Sequence, residues 1–455
     1  QWVVQLTAAS GLQDLTVTDS QVVEGFRGLV GGGGEGMTIS GCELMPRGGY
    51  AVLIASPQAR RFRMNNNILH GSMRIFWHGV SRAEIVGNTI LRGGFGGRPI
   101  SESVFANNIL RDAPGRSAFD STRRSLFELN EVHGFWYGPY PEHNWEEAMM
   151  SHGGDDKIIG FPTGCAESSL TEGGRSWKPG EHRGKTVLIM EGRGFGQYRH
   201  VMDNTADTLI LEKPWRVRPD QKSRYALGTY YVENIHRKNL VDGWGVYVLW
   251  LDQINNRVEA LQTAAAGCVL WGRDGAMAEA EGKIRNPGSY NPSWYNIISG
   301  AALEGGNVSI ETDDSATPAY KGPVLFANMI ANNRITAPHL RRMSQVRGME
   351  QRTHYQGPGS LISSHAGVAL TDLNFLDTPG TRRRATHTNI SGNYFVEAPY
   401  AVELQDVAGK TFILNNQFQF VKNPLLAGEE TMKLVFSASN TSFAAEEVAL
   451  QRRVL

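Results

Sequence analysis

FRMNNNIL (62–69), AEIVGNTI (83–90) and SVFANNIL (103–110) are three copies of one phrase, and LFELNEVH (126–133) is a looser fourth. Aligned on their second polar position, they set Asn67, Asn88, Asn108 and Asn130 about 20 to 22 residues apart. A fixed period of that size marks a solenoid, in which one short unit stacks on its neighbour. Each copy is a short alternating strand, an Asn-rich turn and a second apolar strand. The runs are too short for helices and are rich in β-branched residues and Gly/Asn turns. The pattern predicts an all-β chain wound as a parallel β-helix. It returns in IANNRI (330–335), ISGNYF (390–395) and ILNNQF (413–418), so the coil is expected to run through most of the chain.

Asn at one turn position per coil has two physical reasons. A sharp bend needs a residue that tolerates positive φ, and Asn does so better than most non-Gly residues. Stacked coils also let the Asn amides hydrogen-bond along the axis and satisfy one another in the interior. Cys42, in MTISGCEL (37–44), takes the same turn position and is expected to be a packing residue.

Composition excludes more than it assigns. The 455 residues balance 45 Lys+Arg against 45 Asp+Glu, which commits the chain neither to nucleic acid nor to an anionic membrane. No apolar run approaches the roughly 18 residues of a membrane span. Cys42, Cys165 and Cys268 are too few and too scattered for a disulfide framework or a zinc site, and no cofactor or metal is implied. The chain opens at Gln1 in what already reads as running coil. A capping segment of the same protein is therefore expected upstream, in contact with the first coil.

Taken in order, residues 1–158 are expected to form the first part of the β-helix, with a Gly run at 31–34 as a tight turn. The texture changes at 134. GFWYGPYPEHNWEEAMMSHGGDD brings Trp136, Tyr137, His143 and Trp145 beside Glu147, His152, Asp155 and Asp156. An excursion from a rigid scaffold is where function concentrates: aromatic faces suit sugar rings, and carboxylates and imidazoles suit proton transfer. Residues 159–229 read as an inserted small β-subdomain, with TVLIMEG, YRHVMDN and DTLILEKPWRV as strands between Gly or Asp/Asn turns. Residues 230–455 return to coil, with an irregular Arg-rich loop at 336–388 and a C-terminal cap. Asp242, Trp244, Trp250, Asp252, Trp271 and Asp274 recur through the coils after the insertion. Stacked coils can bring such carboxylates to the separations of roughly 5 to 9 Å used in sugar hydrolysis.

The Asn-turn coils resemble the right-handed parallel β-helix superfamily of pectate lyases, polygalacturonases and phage tailspike depolymerases. The run EEAMMSHGGDD, followed by GRGFGQYRHVMDN, TLILEKPW and RPDQKSRY, is similar to a pattern in secreted bacterial β-helix proteins with an inserted β-domain. The resemblance implies an extracellular or periplasmic protein acting on a polysaccharide or oligosaccharide. It stops there: the Asp-pair and Gly-His-Gly set of polygalacturonases is missing, and so is a pectate-lyase-like calcium cluster.

Two chemistries and one binding role follow. A glycoside hydrolase would draw paired carboxylates from Asp155, Asp156, Asp242 and Asp252, assisted by His152 and Glu147. Trp136, Tyr137, His143, Trp145, Trp244, Trp250, Trp271 and Arg341 would hold the sugar. A polysaccharide lyase acting on a uronate polymer would instead use Arg341, Arg352, His354 and Tyr355 of the basic loop. A glycan-binding or adhesin-type solenoid would need neither. The hydrolase is the reading carried forward.

Overall fold

The computed structural model describes residues 2–6, 13–23, 27–31, 35–46, 50–54, 60–75, 80–97, 99–112, 117–119, 121–135, 147–151, 158–243, 247–264, 267–274, 277–278, 284–285, 290–305, 308–314, 323–338, 366–372, 386–404, 409–427 and 429–443. Among them the chain winds through three long parallel sheets, one of sixteen strands and two of thirteen, here called sheets one, two and three. It is a parallel β-helix. One coil shows the unit: Glu84–Val86 in sheet two, Thr89–Leu91 in sheet three and Phe95–Gly97 in sheet one.

In sheets two and three most strands have three residues, and the middle one faces the core. Ile39, Met64, Ile85, Phe105 and Phe127 stack in sheet two, and Leu44, Leu69, Ile90, Leu110 and Val132 in sheet three. Each such side chain contributes about 1.5–3 kcal/mol on burial. Like stacks on like at the coil spacing: Phe105 and Phe127 lie 4.9 Å apart at 10°, and Phe127 stacks on the His236 ring at 4.5 Å and 4°. His236 is fully buried with Nε2 at 2.7 Å from the Tyr231 hydroxyl, and burial pushes its pKa down to about 3.

The asparagine ladder forms, with one correction. Asn67, Asn88, Asn108 and Asn130 are buried, but the bend is made by the residue before each: Asn66, Gly87, Asn107 and Leu129 carry the positive φ. In each Asn-Asn pair the first turns the chain and the second is the rung. A Cβ at Gly87 would lie 2.4 Å from Asn66 Oδ1, so the glycine leaves the space that the Asn66 side chain fills. Each rung is saturated. Asn108 Oδ1 accepts from the backbone N–H and the Nδ2 of Asn88, while its own Nδ2 donates to Ile85 O and Asn130 Oδ1. Cys42 occupies the rung position one coil before Asn67, its backbone N–H donating to Asn67 Oδ1 at 2.9 Å.

A second ladder, absent from the sequence reading, runs at the corner leading into sheet two. Backbone N–H groups donate from Ala83 to Ser103, Ser103 to Ser125, Ser125 to Asn234, Asn234 to Asn256, Asn256 to Asn296 and Asn296 to Asn328. Its amides are densest where the first ladder holds Leu261 and Ala301 instead of Asn; the first resumes at Asn333, Asn393, Asn416 and Asn440.

The insertion leaves after the sheet-one strand Glu147–Ser151 and returns before the sheet-two strand Ile235–Arg237. Between them lies a seven-stranded antiparallel sheet, in the order Ile158–Gly160, Arg224–Gly228, Thr186–Glu191, Tyr198–Asn204, Thr208–Leu211, Ser169–Thr171 and Gly164–Ala166. The run TVLIME is buried on both faces. Val187 and Ile189 join Trp177, Leu209, Trp215 and Tyr225 in the insert's own core, whereas Leu188 and Met190 join the core of the solenoid. A continuous apolar run, rather than an alternating one, is what a doubly covered strand requires. The segment 336–388, expected to be irregular, carries a sheet-one strand at Ala366–Asp372, in register with Val308–Thr312 on one side and Tyr400–Leu404 on the other.

Candidate functional site

Sheet one changes character beyond the insertion. Its strands have three to five residues in the preceding coils but eight at Tyr247–Ile254 and Gly267–Asp274, and seven at Val308–Asp314 and Ala366–Asp372. Longer strands extend the sheet past the buried Leu270 and Ile310. At the next position out, register aligns Asp252, Trp271, Glu311 and Thr371 on four successive coils. Arg273 pairs with Asp313, and Asp274 with Asp314. One coil step is about 4.8 Å, and two residues along a strand span about 7 Å. Register thereby places four carboxylate-bearing residues (Asp252, Glu311, Asp313 and Asp314), one tryptophan and one arginine in a strip of neighbouring positions on three strands.

The sequence candidates fall as follows. Asp252 and Trp271 are brought side by side by register. Trp250 pairs with Met150 and Val269, and Glu147 with Tyr247, all in sheet one. Asp242 is placed elsewhere, in sheet three between His133 and Ala264. Trp136, Tyr137, His143, Trp145, His152, Asp155, Asp156, Trp244 and Arg341 lie outside the described residues, as do Arg352, His354 and Tyr355. Glu311 and Asp313 were missed as a pair with Asp252. Their motif ETDD was visible, but the residues between Trp271 and Glu311 hid the alignment.

A second concave feature lies where the insert meets the solenoid. Its solenoid wall is a column of turn residues with positive φ on successive coils: Arg124, Glu233, Asn255, Tyr295 and Ala327. Its other wall is the insert's 195–200 hairpin side and the 212–216 turn, and together they enclose a cleft of about 820 Å³. At its base is a charged network. Arg124 donates to Glu233 through Nε at 2.8 Å and to Glu212 through Nη1 at 2.9 Å. Glu233 also accepts the Tyr198 hydroxyl at 2.9 Å and lies 3.1 Å from His200 Nε2, while His200 Nδ1 meets Thr186 Oγ1 at 3.1 Å. Asn255 Nδ2 donates to the Tyr198 oxygen at 2.8 Å.

Burial works to raise the Glu233 carboxyl, but bonds from His200, Arg124 and Tyr198 more than offset it and hold the group well below the usual carboxylate range. The bond to Arg124 likewise lowers Glu212. Burial, and then the Glu233 carboxylate, pushes the Tyr198 hydroxyl up. Glu233 and Glu212 are therefore ionised and Tyr198 is protonated, with both Glu233 oxygens engaged. The bonds among Tyr198, His200 and Glu212 of the insert and Arg124 and Glu233 of the solenoid clamp the two together, and neither carboxylate holds the proton that a sugar-cleaving acid needs. Among the described residues no three His, Cys, Asp or Glu side chains gather to hold a metal ion, and no helix is long and apolar enough to cross a membrane.

No family model and no curated protein matches this chain. Among solved structures, the A-module of the Azotobacter vinelandii mannuronan C-5 epimerase AlgE6 aligns with 93% of this chain and 80% of its own length, at 9% identity and a TM-score of 0.41.

Proposed function

We propose that this chain is an exported carbohydrate-active enzyme that cleaves glycosidic bonds of a polysaccharide by paired carboxylates. One observation carries the reading: the sheet-one register sets Asp252 and Glu311 on either side of Trp271, with Asp313 two residues along and in register with Arg273. Two coil steps separate Asp252 and Glu311 by about 10 Å at the backbone, and Glu311 and Asp313 by about 7 Å along the strand. Both spacings let side chains reach the roughly 5–9.5 Å that glycosidases use. An arginine neighbour favours the ionised form of a carboxyl and an apolar one the protonated form. Asp313, in register with Arg273, is accordingly given the role of base or nucleophile, and Asp252 or Glu311, in register with Trp271, that of acid. The indole face would carry a sugar ring.

The test is digestion of neutral and uronate polysaccharides by the purified protein, read both as reducing ends and as the ultraviolet absorbance of unsaturated uronates. Reducing ends without absorbance are expected, falling about a hundredfold or more in Asp252→Asn, Glu311→Gln and Asp313→Asn. Absorbance rising with the reducing ends would replace hydrolysis by β-elimination. Inactivity on every polymer would leave a binding protein.

A further inference from the structure

The clamp accounts for Arg124, Glu212 and Glu233 but leaves the cations above it unmatched. Arg199 Nε donates to Pro214 O at 2.8 Å, Nη1 to Tyr198 O at 2.6 Å and Nη2 to Gln197 Oε1 at 3.4 Å. All three acceptors are neutral, and Arg199 lies 5.3 Å over the Trp215 ring. Arg216 and Lys213 line the same cleft, and among the described residues neither forms an ion pair. Burial lowers the Arg199 pKa, and the charge of Arg216 lowers it further. Two aromatic rings also line the cleft: Tyr295 from the solenoid wall and Phe195 from the insert, the latter packed on Phe326 at 5.0 Å and Trp294 at 5.4 Å. Tyr295 is held in place by its hydroxyl, which donates to Gly196 O at 2.9 Å.

We propose that this cleft is a binding subsite for a uronate unit of an acidic oligosaccharide, its carboxylate seated on Arg199 and Arg216 and its ring against Tyr295 and Phe195. A planar guanidinium pair suits a carboxylate, and an aromatic face suits the apolar side of a pyranose. Asn255, in the cleft wall, is three residues from Asp252, a path of about 10 Å at most along the backbone. A polymer lying across the strip would run on between insert and solenoid. The assignment of this ligand as part of a substrate rests on the polysaccharide reading above; the binding itself does not.

Calorimetric titration of the full chain tests it, using trisaccharides of galacturonate, glucuronate and mannuronate, with maltotriose and inorganic phosphate as comparisons. At least one uronate trisaccharide is expected to bind, with maltotriose weaker by roughly tenfold or more. Arg216→Gln, at an exposed position, and Arg199→Gln are each expected to weaken uronate binding about tenfold. Arg183→Gln, on the insert's outer surface, should leave it unchanged. Equal affinity for maltotriose, binding indifferent to Arg216→Gln, phosphate competing as well as the sugar, or no uronate binding would each overturn the proposal. Titrating the Glu311→Gln variant separates the two readings. Uronate binding without activity on any polymer would sink the hydrolase and leave the subsite standing. Activity on a polymer without binding in the cleft would do the reverse.

Discussion

The solenoid and its insert bury apolar side chains by opposite means. The solenoid adds one coil at a time, each coil's orphan amides taken up by an asparagine of the next, so its stability is a sum of nearest-neighbour terms. The insert closes one small core with a single antiparallel sheet, and uses the other face of that sheet to reach the solenoid. The difference shows where each is vulnerable: the solenoid at any rung, the insert at the strand that serves both cores and at the clamp beneath the cleft.

The largest effect should come from a rung. Asn108→Leu strands the buried backbone N–H of Asn88 and one N–H of its Nδ2, and removes the donor to Ile85 O; Asn130 Oδ1 keeps the backbone N–H of position 108. At about 1–3 kcal/mol for each orphaned group, with partial relaxation, a loss of about 4 kcal/mol is expected. Denaturant midpoints followed by circular dichroism would read it. A loss under about 1 kcal/mol would show that the ladder is decoration on a fold held by its apolar columns.

Next is the doubly covered strand. Leu188→Ala should weaken docking by about 3 kcal/mol while leaving the insert folded, because Leu188 packs into the solenoid core. Val187→Ala, one residue away, should lower the stability of the insert itself by a smaller amount, because Val187 belongs to the insert's core. Hydrogen exchange resolved by segment distinguishes them: exposure confined to the insert–solenoid contact in the first, spread through the seven-stranded sheet in the second. The same pattern for both would mean the two cores unfold as one.

The smallest effect tests the clamp. Glu233→Gln removes the charge that Arg124 and His200 share and should weaken docking by about 2 kcal/mol. The pH dependence has a definite sign. Glu233 and Glu212 have folded pKa values below their unfolded ones, so their contribution is fully present above about pH 4.5 and is lost as pH falls through the folded values. Proteolytic release of the insert should therefore accelerate in acid below that point. In Glu233→Gln the acid dependence should be smaller, with Glu212 supplying what remains.

The solenoid was legible because its unit is local. Each Asn-turn phrase contains its own bend, rung and inward apolar residue, so eight consecutive residues state the coil, and repetition states the stack. TVLIME, likewise, announced a strand by composition, but its coverage on both faces came only with the tertiary structure. The candidate site was legible only in part. Asp252 and Trp271 stood out as residue types, but Glu311 and Asp313 belong to the same strip only through register.

What the sequence determined alone was therefore the coil, its period and the presence of an interruption. The tertiary structure decided which coils are neighbours across that interruption. Asn130 and Asn239 are adjacent rungs, as are Ser125 and Asn234, although 109 residues separate each pair. Arg124 meets Glu233 across the same distance in sequence. The physical reason is that parallel pairing is set by hydrogen bonds between coils and is nearly indifferent to the loop between them, since loop-closure cost rises only as the logarithm of loop length. A long insertion therefore leaves the ladders intact in space while erasing their period from the sequence, and the cleft and the carboxylate strip exist only once that period has been restored.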